Sequence, residues 1–254
     1  LKPIIVMKFY ETHYEDYLTK EAEIPLHPKL QSVYDSFPEN IKDFNNLIFY
    51  GPKGVGKYTQ MLKSIKQYSP SELKYDRKIL YQHSNKSTYI LKISDIHFEI
   101  DMSLLGCHSK LLFNDIYYHI LDILSARPNG SGIVVCKNFH HIHSELLEIF
   151  HSYMQTLKHK NLKIVYILVT ENISFIPRNI LNRCQIVSFK RPTKGEYIKA
   201  TSKTLMNGRD IKSISNIKNI KGKINYLSDL NKVICNKILD KILNYKNIKF
   251  LEMR

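Results

Sequence analysis

The stretch LIFYGPKGVGKYTQMLKSI, residues 47–65, decides the fold because it joins a strand pattern to a helix pattern through a glycine-rich loop. The run Leu47–Tyr50 has the length of a buried strand. Met61, Leu62 and Ile65 then recur at helical spacing. A strand, a glycine-rich turn and a helix in this order form the context in which a phosphate-binding loop is expected.

The loop follows the phosphate-binding pattern G-x-x-x-x-G-K-[ST] as far as its lysine. Glycines permit backbone conformations in which N–H groups turn toward phosphate oxygens at the positive end of a helix. The lysine adds a point charge for the outer phosphates. We therefore predict that ATP or ADP binds here. The residues predicted to bind it are Gly51, Pro52, Lys53, Gly54, Val55, Gly56, Lys57, Tyr58 and Thr59.

Tyr58 stands where the pattern has a Ser or Thr, whose hydroxyl normally ligates Mg²⁺. A phenol is too long and too rigid to place its oxygen at the same point. Thr59 follows immediately and substitutes only if the register shifts. The sequence therefore predicts that phosphate binding is retained, and it leaves the use of Mg²⁺ open.

The predicted buried strand Ile133–Cys136 lacks the acidic pair that ends this strand in hydrolytic P-loop ATPases. In those enzymes an Asp holds Mg²⁺ and a Glu polarises water, whereas Lys137, Asn138 and Phe139 follow here. A lysine cannot ligate Mg²⁺ and an asparagine cannot act as a base. We expect weak or absent ATP hydrolysis, and the question whether the chain is an enzyme stays open.

Apolar strands alternate with amphipathic helices along most of the chain, which predicts an α/β fold of the P-loop NTPase class. We expect a parallel sheet with helices on both faces, because the strands are continuously apolar. The other predicted elements are a short helix near Leu30–Ser36, strands at Thr88–Ile93, His97–Asp101 and Ile164–Val169, and helices at Lys110–Leu124 and Ser144–Leu157.

After Pro192 the pattern is helical only. We therefore predict two domains: a nucleotide-binding domain over residues 1–192 and a small, basic, all-helical lid domain over residues 193–254. The apolar stripe of the lid consists of Leu227, Leu230, Ile234, Ile238 and Ile242.

The net charge of +15 is spread unevenly along the chain. Residues 191–254 hold 15 Lys and Arg against 5 Asp and Glu, and the preceding residues hold 23 against 18. This pattern favours a polyanionic partner such as DNA. Lys63, Lys66 and Lys110 are candidates for sequence-independent contacts to DNA phosphates, and a solvated lysine face is an equally weighted alternative for each.

Several classes of protein are disfavoured by the composition. No run approaches the ~18 apolar residues of a membrane span, and the N-terminus shows no secretory signal. The cysteines lie far apart in the sequence, which favours a reduced intracellular compartment. The four cysteines form no C-x-x-C pair, so structural zinc is not expected. His140, His141 and His143 lack ligand spacing, and we predict no metal site. Because Leu1 is not a methionine, the chain is a candidate fragment.

Three segments together resemble the clamp-loader subunits of the AAA+ class, which include replication factor C small subunits and the bacterial delta-prime and gamma/tau subunits. YGPKGVGKYT, residues 50–59, resembles the G-x-G-K-x-T loop of the delta-prime-like eukaryotic small subunit. HFEIDMSLLG, residues 97–106, is similar to a family strand with a His-x-Glu stretch. SFIPRNILNRCQIVSF, residues 174–189, resembles the segment with the Ser-Arg-Cys signature. The resemblance covers about residues 24–240.

This resemblance implies a nucleotide-binding, hydrolysis-deficient subunit in a hetero-oligomeric ring. Its implied partners are other clamp-loader subunits, a sliding clamp and DNA, with no membrane. It implies that Arg183 reaches the ATP site of a neighbouring subunit and acts there in catalysis. The implied location is the nucleus or, because the residue bias is typical of AT-rich large DNA viruses or protists, a cytoplasmic viral replication site.

The chain departs from the family pattern at several positions. Asn182 replaces the serine of the signature, and Lys223 and Asn225 stand where the lid is expected to carry Asp and a nucleotide-sensing Arg. The family's helical collar domain does not follow before Arg254, so we expect it to be truncated or absent.

Two alternative functions stay open at this point. One is an active ATPase of the same fold, in which Thr59 and a carboxylate such as Asp101 or Glu171 are recruited to the site. The other is a non-catalytic scaffold that kept the fold and lost the nucleotide.

Overall fold

The computed structural model describes residues 13–23, 25–84, 87–155, 162–193 and 195–196, together with residues 239 and 243. Two compact units divide the chain: Leu1–Gly51 with Lys57–Phe189, and Pro52–Gly56 with Lys190–Arg254. The predicted lid domain, including its apolar stripe and the positions Lys223 and Asn225, lies almost entirely outside the described residues. The lid and the domain boundary therefore stay predictions.

The described part of the first unit contains six α-helices and seven strands. In chain order these are α1 (Tyr14–Glu23), α2 (Gln31–Asp35), β1 (Asn46–Tyr50), α3 (Lys57–Ile65), β2 (Arg77–Ser84), β3 (Ser87–Ile93), β4 (His97–Asp101), α4 (Ser109–Ser125), β5 (Ser131–Lys137), α5 (Ser144–Tyr153), β6 (Lys163–Thr170), α6 (Arg178–Leu181) and β7 (Cys184–Ser188). Single turns of 3₁₀ helix occur at Pro28–Leu30, Ile41–Asp43, Lys66–Tyr68, Met102–Leu104 and Phe139–His141.

The strands form one sheet in the order β2-β3-β4-β5-β6-β1-β7. All neighbouring strands from β4 to β7 run parallel, which confirms the predicted parallel sheet. β2 and β3 extend this sheet as an antiparallel hairpin at one edge. The sequence pattern does not predict β2, because RKILYQHS places only three apolar or aromatic residues between polar ends.

Helix α4 supplies much of the core on one side of the sheet. Leu112, Ile116, Ile120 and Leu124 are buried, as their spacing predicts. Leu111 was expected on the same stripe, but it is 59% exposed. At about 100° per residue, the buried positions Leu112, Phe113 and Leu121 span about half of the helix circumference, and Leu111 lies on the other half.

Parallel pairing brings the carboxyl ends of four strands to one edge of the sheet. Gly51 follows β1, Asp101 ends β4, Lys137 ends β5 and Glu171 follows β6. Arg183 directly precedes β7, which is parallel to β1, so it lies at the opposite edge. The topology thus gathers the strand ends beside Gly51 and keeps Arg183 away from them.

Gly51 lies where β1 and β7 approach each other closely. Its N–H donates to the carbonyl oxygen of Thr170 at 3.3 Å, and the Phe189 N–H donates to the Tyr50 carbonyl oxygen at 2.7 Å. A Cβ atom on Gly51 would lie 2.6 Å from the Phe189 carbonyl oxygen and 2.8 Å from the Phe189 Cβ. The absence of a side chain at this position therefore permits the β1–β7 contact.

We expect Gly51→Ala to lower the free energy of unfolding by about 2 kcal/mol, because the clash is with backbone that is held in the sheet. Urea unfolding followed by circular dichroism measures this. Gly132→Ala is the matched control, since its Cβ would meet Leu124 Cδ2 at 2.6 Å, and a leucine methyl can rotate away. Equal losses for the two variants would contradict this account.

Candidate nucleotide-binding site

The glycine-rich loop has the backbone geometry that its sequence predicts. Gly54 and Gly56 have φ angles of 78° and 88°, in the left-handed region that favours glycine. Lys57 then begins the nine-residue helix α3. The first N–H groups of such a helix have no partner within it and carry the positive end of its dipole. The strand, loop and helix that a phosphate-binding loop requires are all present.

The side chain of Lys57 turns back toward the end of β1. Its Nζ donates to the Gly51 carbonyl oxygen at 2.6 Å, and the residue is 9% exposed. Burial lowers the pKa of Lys57 to about 8, and the negative charge of Glu171 acts against that shift. Lys57 is therefore an ammonium at neutral pH, held beside the loop by a carbonyl that a phosphate oxygen can replace.

Tyr58 points its hydroxyl into the protein and not along the start of the helix. The phenol donates to Glu99 Oε1 at 2.6 Å, and its ring meets Tyr17 edge-on with centroids 5.1 Å apart. Burial, followed by the charge of Glu99, raises the pKa of Tyr58, so the phenol stays a donor. The position that usually supplies a magnesium ligand is thus occupied by a group committed to a buried carboxylate.

Glu99 lies in the middle of β4 with a fully buried side chain. Its Oε2 accepts from Lys137 Nζ at 3.0 Å, and its Oε1 lies 3.3 Å from His97 Nε2. Although burial acts to raise the pKa of Glu99, the hydrogen bond from His97, the charge of Lys137 and the bond from Tyr58 hold it at about 2. The carboxylate is therefore ionised, and each of its oxygens has a donor.

Asn138 and Asp101 form a second pair across the same two strands. Asn138 has a φ of 51°, and its Nδ2 donates to both carboxylate oxygens of Asp101, at 3.0 and 3.1 Å. The Asp101 Oδ1 also accepts from the N–H and the hydroxyl of Ser103. Lys137 and Asn138, which replace the acidic pair of hydrolytic relatives, thus each bind a carboxylate of the neighbouring strand β4.

The residues present do not fit a magnesium ion of the usual P-loop kind. In the described parts of the chain, no group of three or more His, Cys, Asp or Glu side chains is arranged to hold a metal ion. The rings of His140 and His141 contact each other at a tilt of 44° with centroids 4.2 Å apart, and His140 Nδ1 accepts from the Glu171 N–H at 3.4 Å. Thr59 lies in the first turn of α3 and is partly exposed.

Arg183 is exposed in the turn between α6 and β7. Its carbonyl oxygen accepts from Asn46 Nδ2 at 3.4 Å, which places it beside the first residue of β1. Gly51 follows the other end of that strand, about 16 Å from Asn46 at ~3.3 Å per residue. A cleft of about 480 Å³ adjoins Arg183 and is also lined by Asn46, Lys163 and Asn182. The structure does not bring Arg183 to the end of β1 that Gly51 follows.

The three lysines predicted to contact DNA differ in their surroundings. Lys63 Nζ pairs with Glu21 Oε2 at 3.1 Å, and Lys66 pairs with Glu72 at 3.0 Å. Lys110 is exposed near the start of α4. The DNA contacts stay predictions, and the pairing of Lys63 with a buried glutamate makes its charge the least available.

Glu99 is the site residue that the sequence pattern does not single out. The position of Glu99 in the strand could have identified it, since both faces of β4 are buried and a carboxylate there requires hydrogen-bond partners. A strand reading that places only Phe98 and Ile100 inward treats Glu99 as solvent-facing. Its partners come from α3, β4 and β5, so sequence spacing alone does not identify them.

No family model matches the chain. Replication factor C subunit 5 of Neurospora crassa is 28% identical over 189 residues, which is 71% of this chain and 51% of that protein. The same subunit of Schizosaccharomyces pombe is 26% identical over 191 residues, 72% of this chain and 52% of that protein. The chain thus spans about half the length of these relatives.

Among solved structures, the chain is similar to the Thermotoga maritima RuvB Holliday junction branch migration motor. The TM-score is 0.43 at 11% identity, covering 83% of this chain and 62% of RuvB. The strand order and the glycine-rich loop, and not this TM-score, assign the α/β fold. No described helix is long and apolar enough to cross a membrane. Over about 71% of its length, the chain is thus similar to replication factor C subunit 5, a small subunit of a clamp loader of the AAA+ class.

Proposed function

We propose that the chain is a nucleotide-binding subunit of a DNA sliding-clamp loader, with little or no ATP hydrolysis of its own. The observation that carries this proposal is the contrast between two halves of one site. The loop and Lys57 retain what phosphate binding needs, whereas Lys137 and Asn138 bind carboxylates in place of the acidic pair. The relationship to replication factor C subunits supplies the clamp-loader context.

Phosphate binding depends on groups that this chain keeps. The N–H groups of the loop and of the first turn of α3 would hold phosphate oxygens, and Lys57 would exchange the Gly51 carbonyl for a phosphate. A phosphate is the better partner, because it is an anion and the carbonyl is neutral. A bound ATP or ADP would add negative charge beside the Lys57 ammonium, on which the charge of Glu171 already acts.

Hydrolysis requires a base or a polarising group near the attacking water. Asn138 cannot serve, and Asp101, one candidate for recruitment, is held by Asn138 and Ser103. In the alternative of an active ATPase, Glu171 would be the carboxylate that is recruited to the site. Its charge acts on Lys57, so removing it would also alter phosphate binding.

Arg183 is proposed to act on the nucleotide of a neighbouring subunit. It is exposed, and it lies at the edge of the sheet opposite Gly51, so an action in its own site is disfavoured. An arginine that enters a phosphoryl-transfer site from a partner stabilises the charge of the transition state. Other clamp-loader subunits, a sliding clamp and DNA are the proposed partners, in the nucleus or at a cytoplasmic viral replication site.

The proposed function is tested with the purified chain by titrating a fluorescent ADP and by measuring ATP turnover. We expect binding that Lys57→Ala weakens at least about tenfold, because one charge-assisted contact is lost, together with no turnover above the Lys57→Ala background. Turnover that Lys57→Ala abolishes would establish the active ATPase instead. Absence of binding would favour the scaffold. Purification from the native source is expected to recover related subunits and a ring-shaped clamp.

We expect Arg183→Ala to leave nucleotide binding by this chain unchanged and to reduce ATP turnover of the assembled complex by at least about tenfold. Arg178→Ala is the matched control, since Arg178 is also exposed and lies on α6, five residues earlier. Steady-state turnover of the complex measures both. Equal turnover by the two variant complexes would remove Arg183 from catalysis.

We expect nucleotide affinity to fall as the pH rises through about 8. In the free protein Lys57 is an ammonium below its pKa of about 8 and neutral above it, while bound phosphate favours the ammonium. If only the charged form binds, the affinity falls about tenfold between about pH 7 and about pH 9. Fluorescence titration across this range measures it. In Lys57→Arg the charge persists, so its relative affinities should stay level, and a parallel fall in that variant would contradict the assignment to Lys57.

A further inference from the structure

We propose that the Lys137 ammonium stands in for the divalent cation of this site, so that the chain binds ADP or ATP without Mg²⁺. This inference rests on the proposed function, because it concerns how the same loop holds its nucleotide. It comes from three side chains that meet at one point: Tyr58 on α3, Glu99 on β4 and Lys137 on β5.

The positive charge is the outward-facing member of this group. Lys137 ends β5, at the edge of the sheet where Gly51 follows β1, and its side chain is 29% exposed while that of Glu99 is fully buried. Lys137 Nζ lies 5.6 Å from the centroid of the Tyr58 ring, and Tyr58 directly follows Lys57. The Lys137 ammonium is thus held beside the start of α3, and the buried Glu99 carboxylate is its counter-charge.

Within the cluster of Tyr58, Glu99 and Lys137, every side-chain oxygen already takes part in a hydrogen bond and is not available to a magnesium ion. Mg²⁺ requires oxygen ligands in a near-ideal octahedron at about 2.0–2.1 Å. The Tyr58 hydroxyl donates a hydrogen bond to Glu99 Oε1. The two Glu99 oxygens also accept hydrogen bonds from His97 and Lys137. To ligate Glu99, the ion would have to displace the Lys137 ammonium, and it would then lie beside a repelled positive charge.

The ammonium groups of Lys57 and Lys137 favour free nucleotide, whose phosphates keep their full negative charge. Lys57 Nζ lies at the Gly51 carbonyl oxygen, directly after β1, and Lys137 ends β5 at the same edge of the sheet, with β6 between the two strands. Nucleotide complexed with Mg²⁺ has less negative charge to offer these ammonium groups, and it brings a cation toward Lys137. We therefore expect the free nucleotide to bind at least as tightly as its magnesium complex.

The test is a titration of the full chain with N-methylanthraniloyl-ADP in excess EDTA and again in excess MgCl₂. The inference predicts dissociation constants within about threefold of each other, or tighter binding in EDTA. Binding that weakens about tenfold or more in EDTA would overturn the inference and leave the proposed function standing. Absence of binding in both buffers would overturn the proposed function together with the inference.

Variants locate the effect at Lys137. Glu99→Gln combined with Lys137→Met removes both charges, so that no lone charge is left buried, and we expect binding in EDTA to weaken about tenfold. Lys137→Arg keeps the cation and should retain the wild-type ratio between the two buffers. Lys42→Met combined with Asp43→Asn makes the same charge change at exposed positions and should bind as wild type does.

Thermal unfolding of each variant confirms that the fold is kept before its affinity is compared. A purely structural role for Lys137 would weaken binding equally in both buffers, and this outcome would overturn the inference. A loss confined to EDTA, restored by the arginine variant, would support it.

Discussion

The buried carboxylate of Glu99 is the constraint on which the rest of this site depends. An ionised carboxylate inside a sheet costs several kcal/mol unless donors surround it, and removing one partner of such a pair typically costs about 3–5 kcal/mol. Lys137, His97 and Tyr58 provide those donors from three different elements. The identities of these residues are therefore not independent, and the tyrosine in the phosphate-binding loop is explained by a residue 41 positions away.

This constraint also explains why the site keeps the groups for phosphate binding and lacks the usual groups for metal binding and water activation. Of the two lysines proposed to bind phosphate, Lys57 donates to the Gly51 carbonyl oxygen, whereas Lys137 pairs with Glu99. Metal binding and water activation would use positions 58, 137 and 138, and each of these now binds a carboxylate of β4. An acidic residue at position 137 would remove the Lys137 ammonium and place a second negative charge beside Glu99.

The sequence predicted those features whose signal is local. The loop, β1 and α3 follow from glycine spacing and apolar periodicity within residues 47–65, and β4 was predicted with the bounds that the structure has. The edge strand β2 was missed because its pairing with β3, and not its own composition, makes it a strand. Glu99 was missed because its partners meet only after the sheet forms, and Leu111 was misplaced because adjacent helical positions were counted on one face.

The proposed action of Arg183 on a neighbouring subunit would have a consequence for assembly, because Arg183 lies at the edge of the sheet opposite Gly51. A surface that offers an arginine and a surface that receives one are then different surfaces of the same chain. Contacts between such subunits would be heterologous. They would give the assembly a direction, because each subunit would contribute an arginine to one neighbour and receive an arginine from the other. A two-fold symmetric dimer could not satisfy both surfaces, whereas a closed or open ring could.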